Sequence, residues 1–566
     1  MMKRLFIKKL IAIVTLCALC MVPISACGGK DNIVNDGKTV NVRVYKGGYG
    51  TSWIYAMKEK FEALYAEEGY KINILTPSSD ITGSTVVNEL KSGNAVTGVD
   101  LYFTGSCNLY AVTEQFGTLV EDLTETVWKK NPIGFDGEEE NTLIKDKVRP
   151  GMLPYVTSET DGKMYGYLWT SSVGGLAVNS KKLAEYGLSL PRTSDELWAV
   201  FDKILRGANG VGSSFETGTF PFTYAPSTGY QMYLSSTWLA QYMGTEAFDR
   251  LIRLEDENGE EMLEDGYTLY DDPAFEEMFR TMFRVFDQNV SAYGSTTQSV
   301  EQAQAKLVKG NAVFMPTGDW MLNEVSKNYP NHLQDITLIN VPVLSAVGEK
   351  LFGAGTALNL SKADSDKLLS EIVRLADEEK TAEEIKTAIK ADANFGYDLS
   401  LDAVQEVIDA RGIYYEKGVE HNCYISKDSP MKDVAVLFLR MLASEDAISL
   451  FESETNGSSP FGGKIKTTED NPYEFVRAAS RIANRSVKHE IFNGTFGLRA
   501  KLALPIFPKS GDTVAVKIAN QLISKYDENG QLVGQESVYD EAAIKFYNEE
   551  KGFIQSKWED YIAQLG

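Results

Sequence analysis

The chain has 566 residues, of which 43% are hydrophobic and 11% are aromatic, and its formal net charge is −23. This hydrophobic content predicts a globular fold and excludes a disordered chain. The negative charge opposes binding to nucleic acid and to anionic lipid headgroups, so we expect no nucleic-acid partner. The charge suits a neutral or cationic ligand, and solubility alone is the alternative reason for it. A chain of this length exceeds one ordinary hydrophobic core, so at least two lobes are expected.

The N-terminus has the parts of a secretion signal. A basic segment precedes an apolar run, Leu10 to Met21, which is too short to span a membrane comfortably. The tetrapeptide Ile24-Ser25-Ala26-Cys27 resembles a bacterial lipobox, which implies cleavage before Cys27 and diacylglyceryl transfer to its sulfur. We expect a lipoprotein signal peptide over residues 1–26, a lipidated Cys27 and a polar tether over residues 27–38, since two acyl chains suffice for stable anchoring. An ordinary signal peptide cut elsewhere is the alternative.

Strands and helices alternate after the tether. Strands are expected at Val40–Tyr45, Tyr70–Pro77 and Val99–Phe103, with helices at Trp53–Glu67 and Thr85–Ser92 between them. This order predicts a parallel sheet whose ligand-facing loops follow the strand ends. On this positional argument Tyr49 and Asp100 are candidate ligand contacts. The glycines beside Tyr49 have neither Walker nor Rossmann spacing, so they do not indicate a nucleotide site.

The middle of the chain contains a helix start and an aromatic loop. Thr193 or Ser194 is expected to cap a helix, and Trp169 is a further candidate ligand contact from its position in a loop. The segment 207–233 reads as a long loop whose aromatic residues include candidate ligand contacts, although most are expected to pack: Phe215, Phe220, Phe222, Tyr224 and Tyr230. Helices are expected at Gln231–Met243, Pro273–Gln288 and Val300–Val308.

The stretch from Leu307 to Trp320 combines a helix end, a buried strand and a loop. Gly310 suits a helix C-cap, and Ala312–Met315 is a continuous apolar run that we expect Pro316 and Gly318 to end. Asp319 and Trp320 then fall at a strand end. A carboxylate beside a flat ring can hold a sugar, because the ring covers its apolar face and the carboxylate accepts hydroxyl protons. A structural Trp320 with Asp319 as its cap is the alternative.

Cysteine and histidine give no metal or cofactor signal. Apart from Cys27, the mature chain keeps only Cys107 and Cys423, for which two buried thiols are the default and one disulfide is the alternative. The three histidines, at positions 332, 421 and 489, have no metal-ligand spacing. We therefore expect no metal, no cofactor and no catalytic nucleophile.

Several segments together resemble the extracellular solute-binding proteins of bacterial ABC transporters, in the sugar-binding family that includes maltose-binding protein. The stretch from Gly310 to Trp320 is similar to the pattern G-x-A-A-M-x-x-x-G-x-W, with departures at Asn311, Val313 and Phe314. Residues 161–169 resemble D-G-K-x-Y-G-x-P without its proline, and residues 175–197 keep the spacing of G-L-x-Y-N-K-x-L followed by G-L-x-x-P-x-T-x-x-E-L. Gly353–Leu360 resembles the second crossing between the lobes of this family.

The resemblance implies an α/β, two-lobed periplasmic-binding-protein-like fold, each lobe a mostly parallel sheet flanked by helices. The N-terminal lobe would comprise residues 39–168 and 357–457, with a helical insertion at 365–421. The C-terminal lobe would comprise residues 169–356 and 458–566.

The function that this resemblance implies is a lipid-anchored receptor on the outer face of the cell membrane. A monomer would bind a carbohydrate between its lobes and deliver it to the permease subunits of an ABC transporter, without catalysis. The candidate ligand contacts, in falling order, are Trp320, Asp319, Trp169, Tyr49 and Asp100. A peptide or polyamine ligand is one alternative, and a secreted glycosidase, which needs two carboxylates at a defined separation, is another.

Overall fold

The structure is a computed structural model. It describes residues 32–105, 116–149, 151–158, 160–207, 217–416, 421–462, 471–485, 489–492, 514–521 and 536–563. The strands are β1 (Thr39–Val44), β2 (Lys71–Ile74), β3 (Leu101–Phe103), β4 (Tyr167–Leu168), β5 (Gly174–Asn179), β6 (Phe220–Phe222), β7 (Ala312–Gly318), β8 (Ile336–Ile339), β9 (Ile413–Glu416), β10 (Asn422–Ile425) and β11 (His489–Phe492).

The α-helices of the described residues follow in chain order. They are α1 (Ser52–Leu64), α2 (Gly83–Ser92), α3 (Asn94–Thr97), α4 (Phe116–Leu119), α5 (Ile144–Lys147), α6 (Ser180–Glu185), α7 (Ser194–Arg206), α8 (Gln231–Met243), α9 (Thr245–Arg253), α10 (Pro273–Val285), α11 (Val300–Val308), α12 (Met321–Ser326), α13 (Ser345–Phe352), α14 (Lys362–Asp377), α15 (Ala382–Ala391), α16 (Leu401–Gly412), α17 (Lys432–Leu442), α18 (Glu445–Thr455), α19 (Glu474–Ala483), α20 (Val514–Ala519) and α21 (Glu536–Ile562).

The strands form two sheets, which define two lobes. The first lobe contains the sheet with strand order β2-β1-β3-β10-β4, in which β1 is parallel to β2 and β3 while β10 is antiparallel to its neighbours. The second lobe contains the sheet with order β11-β9-β5-β7-β6, with β8 paired to β5. Helices flank both sheets, as the expected two-lobed α/β class requires. The expectation of mostly parallel sheets was wrong, because the described strand pairs are mixed: β5 is antiparallel to β7, β8 and β9, and β10 is antiparallel to β3 and β4.

Strand β7 is buried along its whole length and continues further than the sequence indicates. It runs through Pro316 to Gly318, paired with β5 on one side and with β6 on the other. Its pairing with β6 ends at Phe314, whose carbonyl accepts from the Thr223 N–H. The N–H that proline lacks therefore falls on the side where β6 has already ended, so Pro316 costs the sheet no hydrogen bond.

Helix α7 shows how local sequence sets an element in the second lobe. The Thr193 hydroxyl accepts from the Glu196 N–H at 3.2 Å, which confirms Thr193 as the cap. The helix buries residues at helical spacing: Leu197, Val200, Phe201, Ile204 and Leu205. It ends at Gly207, whose φ of 75° suits glycine.

The chain passes between the two sheets at three places in the described residues. The first crossing, residues 169–173, joins β4 to β5, and the second joins Glu416 at the end of β9 to His421 before β10. The third, residues 456–462, leaves α18 and lies against the first, since Ser171 and Ser458 form an antiparallel bridge.

The second crossing differs from the expected one. Gly353–Leu360 instead joins α13 to α14, two helices that pack together on the second lobe. The predicted insertion at 365–421 includes β9, which pairs with β5 and β11 of the second sheet, so the described part of this segment up to Glu416 belongs to the second lobe. Strand pairing decides this placement, and helical periodicity carries no information about it.

Candidate functional site

A cavity of about 570 Å³ lies between the lobes beside the crossings. This volume is in the range of about 300–1,000 Å³ that is typical of small-molecule sites. Its lining comes from both lobes and from two crossings: Tyr45, Lys46, Gly47, Gly48, Tyr49, Gly50, Ser79, Trp169, Ser172, Thr228, Tyr230, Val300, Trp320, Glu324 and His421. We call this cavity the cleft.

The first-lobe wall is built by the loop that follows β1. Tyr49 lies on this loop and is only 5% exposed. Gly48 lies so close to the second lobe that a Cβ there would be 2.5 Å from Trp320 Cδ1, and its carbonyl accepts from the Asn323 side chain at 2.7 Å. Glycine is required at this position because the two lobes meet across its backbone. The lobes therefore contact each other beside the cleft.

Trp169 is held rigidly at the first crossing. Its ring stacks on Trp53 with centroids 5.2 Å apart and planes inclined by 12°, and its indole N–H donates to the Thr104 carbonyl at 3.0 Å. The His421 ring meets it edge-on at 5.4 Å. A fixed ring is a preorganised surface for a ligand, because little side-chain entropy remains to be lost on binding.

Trp320 forms the second-lobe wall, directly after β7. Its ring is only 7% exposed, since it contacts Tyr49 from the first lobe and Tyr230 and Tyr233 from its own lobe. The indole N–H donates to the Tyr230 hydroxyl at 3.2 Å. Stacking on a sugar requires an exposed ring face; the structure places Trp320 at the edge of the cleft, with most of its surface packed.

Asp319 points away from the cleft and joins the lobes. Its carboxylate accepts from the Tyr49 hydroxyl at 2.8 Å and from the Ser458 hydroxyl at 3.3 Å, while its N–H donates to the Val173 carbonyl. Burial raises the pKa of this carboxyl to about 6. Asp319 does not line the cleft, so the structure supports a role between the lobes rather than the direct ligand contact expected from sequence.

Asp100 lies outside the cleft, contrary to the sequence argument. Its carboxylate accepts from the Asn41 N–H at 2.8 Å and from the Ser429 hydroxyl at 2.6 Å. It precedes β3, whereas the first-lobe cleft loops follow β1 and β2, so it occupies the opposite end of the sheet. Its hydrogen bonds fix loops at that end.

Glu324 and Tyr230 also line the cleft, although neither is among the five ranked ligand contacts expected from sequence. Burial raises the pKa of Glu324 to about 7, although its carboxylate accepts from Gln304. Glu324 lies four residues after Trp320 and α12 begins at Met321, so helical spacing places both on one face. Tyr230 belongs to the aromatic-rich segment 207–233, of which Phe215 lies outside the described residues.

Lys46 and His421 add further polar groups to the lining of the cleft. Lys46 is exposed on the loop after β1, and His421 packs edge-on against Tyr45 and Trp169. The sequence does not indicate that His421 lines the cleft, because this residue reaches the cleft only through the crossing from β9 to β10.

Two further predictions concern cysteine and metal sites. Cys27 and Cys107 lie outside the described residues, while Cys423 is buried on β10, where burial raises the pKa of its thiol. In the described ranges no group of three or more His, Cys, Asp or Glu side chains is placed to hold a metal ion. Nor does any helix there have the length and apolar character needed to cross a bilayer.

Residues 56–368 match the sequence profile of a family described as "Bacterial extracellular solute-binding protein". The match covers more than half of the chain. The chain belongs to this family. Membership makes it an extracellular or periplasmic binding protein, and the cleft between its lobes is where such a protein holds its solute. Comparison with curated proteins by sequence found no match.

Solved structures share the fold at low sequence identity. A chitin oligosaccharide binding protein has 14% identity and a TM-score of 0.53, with 94% of this chain and 100% of that chain covered. An ABC transporter solute-binding protein from Thermotoga lettingae, bound to α-D-tagatose, has 13% identity and a TM-score of 0.53, covering 91% and 99%. The GacH receptor of Streptomyces glaucescens, solved unliganded and with acarbose, has 13% identity and a TM-score of 0.51, covering 91% and 98%. These similarities establish the two-lobed binding-protein fold.

Proposed function

We propose that this protein binds a carbohydrate in the cleft and delivers it to the permease of an ABC transporter. The observation that carries the proposal is the lining of the cleft, where aromatic residues from both lobes and a crossing surround one small cavity: Tyr45, Tyr49, Trp169, Tyr230 and Trp320. Aromatic rings cover the apolar faces of sugars, while Glu324, Lys46 and His421 supply the few polar groups that orient hydroxyls.

Three similar structures support a sugar over a peptide or polyamine, because their descriptions specify chitin oligosaccharide, tagatose and acarbose as ligands. A polyamine would need several carboxylates facing the ligand, and among the described lining residues Glu324 is the one acid. A single acid in the described lining also argues against a glycosidase, which needs a pair of carboxylates across the scissile bond. We therefore propose a receptor that leaves its ligand chemically unchanged.

Thermal unfolding in the presence of neutral mono- and oligosaccharides tests this proposal. We expect one of these sugars to raise the midpoint of unfolding, since a ligand at 100 times its Kd stabilises the native state by about 2.7 kcal/mol. The bound sugar should be recovered intact after prolonged incubation. Stabilisation by a di- or triamine or by short peptides, with no response to any sugar, would favour the alternative ligand class; release of shorter sugars would indicate a hydrolase.

We also propose the expected lobe boundaries with one change, which moves residues 357–416 from the first lobe to the second. The first lobe comprises residues 39–168 and 422–457, and the second comprises 169–416 and 458–566, because the described strands in these ranges pair accordingly. The protein acts as a monomer, since each chain supplies both walls of its cleft.

Lipid anchoring through Cys27 is the proposed attachment to the outer face of the membrane. The segment Ile24-Ser25-Ala26-Cys27 after a short apolar run supports it. Mass spectrometry of detergent-extracted protein is expected to show an N-terminal Cys27 carrying diacylglycerol. The variant Cys27→Ala should lose the lipid and leave the membrane fraction. An unmodified N-terminus elsewhere in the wild-type protein would contradict the proposal.

A further inference from the structure

We propose that Asp319 is a proton-operated latch between the lobes, which takes up one proton when the lobes close and releases it when they separate. This inference rests on the proposed function, because it concerns the regulation of the same cleft. It assigns to Asp319 a positioning role and no contact with the ligand.

Three separate segments of the chain bond to Asp319, two of them through its carboxylate. Tyr49, from the first lobe, places its hydroxyl 2.8 Å from Oδ1, and Ser458, from the third crossing, places its hydroxyl 3.3 Å from Oδ2. The Asp319 N–H is fixed to the Val173 carbonyl at the start of β5. The residue is only 3% exposed in this arrangement. Separation of the lobes would remove Tyr49 and admit water to the carboxylate.

The hydrogen bonds can accommodate a proton without moving any heavy atom. The Tyr49 hydroxyl lies 2.8 Å from Asp319 Oδ1 and also 3.0 Å from the Ser171 carbonyl oxygen, but it has only one hydrogen to donate. When Asp319 is ionised, Tyr49 donates to it. When Asp319 is protonated, the carboxyl donates to Tyr49, which donates to Ser171. Both states therefore fit the closed geometry.

Burial, rather than a neighbouring charge, favours the neutral form of the Asp319 carboxyl. No Lys or Arg of the described residues pairs with Asp319, and the buried Glu416, which acts on Tyr49, is paired with Arg149. Glu324, on α12, is a second acid near the lobe contact, and burial raises its pKa to about 7. The pKa values of Tyr49 and Tyr230 are raised, so both stay neutral. Burial correspondingly raises the pKa of Asp319 from 3.8 to about 6.

The direction of the pH effect follows from the difference between the Asp319 pKa in the closed form and in the separated form. In the separated form the hydrated carboxyl has its ordinary pKa of about 3.9, so the closed form binds more protons between about pH 4 and pH 6. The ratio of closed to separated molecules should rise about tenfold for each pH unit as pH falls through this window, and about a hundredfold in total. It should be level above pH 6, where Asp319 is ionised in both forms, and below pH 4.

Small-angle X-ray scattering of the ligand-free mature protein measures this ratio through the radius of gyration. The reference protein carries Glu324→Gln, which removes the neighbouring titration, and circular dichroism at each pH confirms that it is folded. We expect the reference to become more compact between pH 6 and pH 4. Adding Asp319→Asn, which mimics the neutral carboxyl, should abolish this pH dependence and leave the protein as compact at pH 7 as the reference is at pH 4.

Asp366 provides a matched control, because burial raises the pKa of its carboxyl to about 6 as well. Its carboxylate bonds to Ser345 and Thr193, all within the second lobe, so Asp366→Asn should leave the pH dependence of closure unchanged. The latch is overturned if the reference shows no compaction between pH 6 and pH 4, or if compaction survives Asp319→Asn. These measurements use no sugar, so their outcome is independent of whether the cleft binds a carbohydrate.

Discussion

Replacing Arg149 with methionine is expected to lower the free energy of unfolding by about 3–5 kcal/mol, the cost of leaving a buried charge without its partner. The side chains of Arg149 and Glu416 are both 0% exposed, and Nη1 lies 3.2 Å from Oε2. The other carboxylate oxygen of Glu416 accepts from the N–H and hydroxyl of Ser172, in the first crossing. The pair thus ties two crossings together. Urea denaturation of wild type and variant measures the loss.

The double variant Arg149→Met, Glu416→Gln separates the charge effect from packing. We expect it to be more stable than Arg149→Met alone, because glutamine is neutral and still accepts from Ser172. A surface control is Lys129→Met, since Lys129 and its partner Glu125 are both well exposed, and this variant should change stability by less than about 1 kcal/mol. A double variant that is less stable than Arg149→Met would show that the unpaired charge of Glu416 does not cause the loss of stability.

Replacing Trp320 with alanine is expected to weaken ligand binding by about 1–3 kcal/mol, the scale of one large apolar contact. The structure adds a second effect. The ring is 7% exposed and packs against Tyr230 and Tyr233 of its own lobe, so the free energy of unfolding should also fall by about 3–5 kcal/mol. Calorimetric titration with the sugar found in the thermal screen, together with urea denaturation, measures both quantities.

The matched control for this variant is Trp198→Ala. Trp198 lies on α7 of the same lobe, partly buried against Phe201 and Arg284, and it does not line the cleft. Its removal should lower stability without changing affinity. Unchanged affinity in Trp320→Ala at a temperature where the variant is folded would remove Trp320 from the binding surface and leave it a purely structural residue.

Local signals in the sequence determined many helix boundaries. The apolar spacing of Gln231–Met243 and Val300–Val308 predicts these two helices with the bounds that the structure has. Thr193 caps α7, and Gly310 has the positive φ, 76°, expected of a residue that follows a helix. These features depend on neighbours within a few residues, so the chain encodes them without reference to its tertiary fold.

The family resemblance, carried by landmarks such as Gly310 and Trp320, also anticipated the two-lobed class. It did not determine which lobe each strand joins. Strand β9 joins the second sheet through pairing with Gly174, more than 200 residues earlier in the chain. No periodicity records such a partner, because a short buried strand has the same pattern in either sheet.

The roles of the candidate site residues were decided by the tertiary structure. Asp100 and Asp319 each lie next to a buried strand of the structure, yet one lies at the end of its sheet opposite the cleft, and the other bonds to Tyr49, 270 residues away in the chain. Trp169 lines the cleft, but its rigidity comes from stacking on Trp53. The sequence determined which chemical groups are available. Only the packing of the two lobes decided which of them face the cleft, because burial and partner distance depend on segments that are distant in the chain.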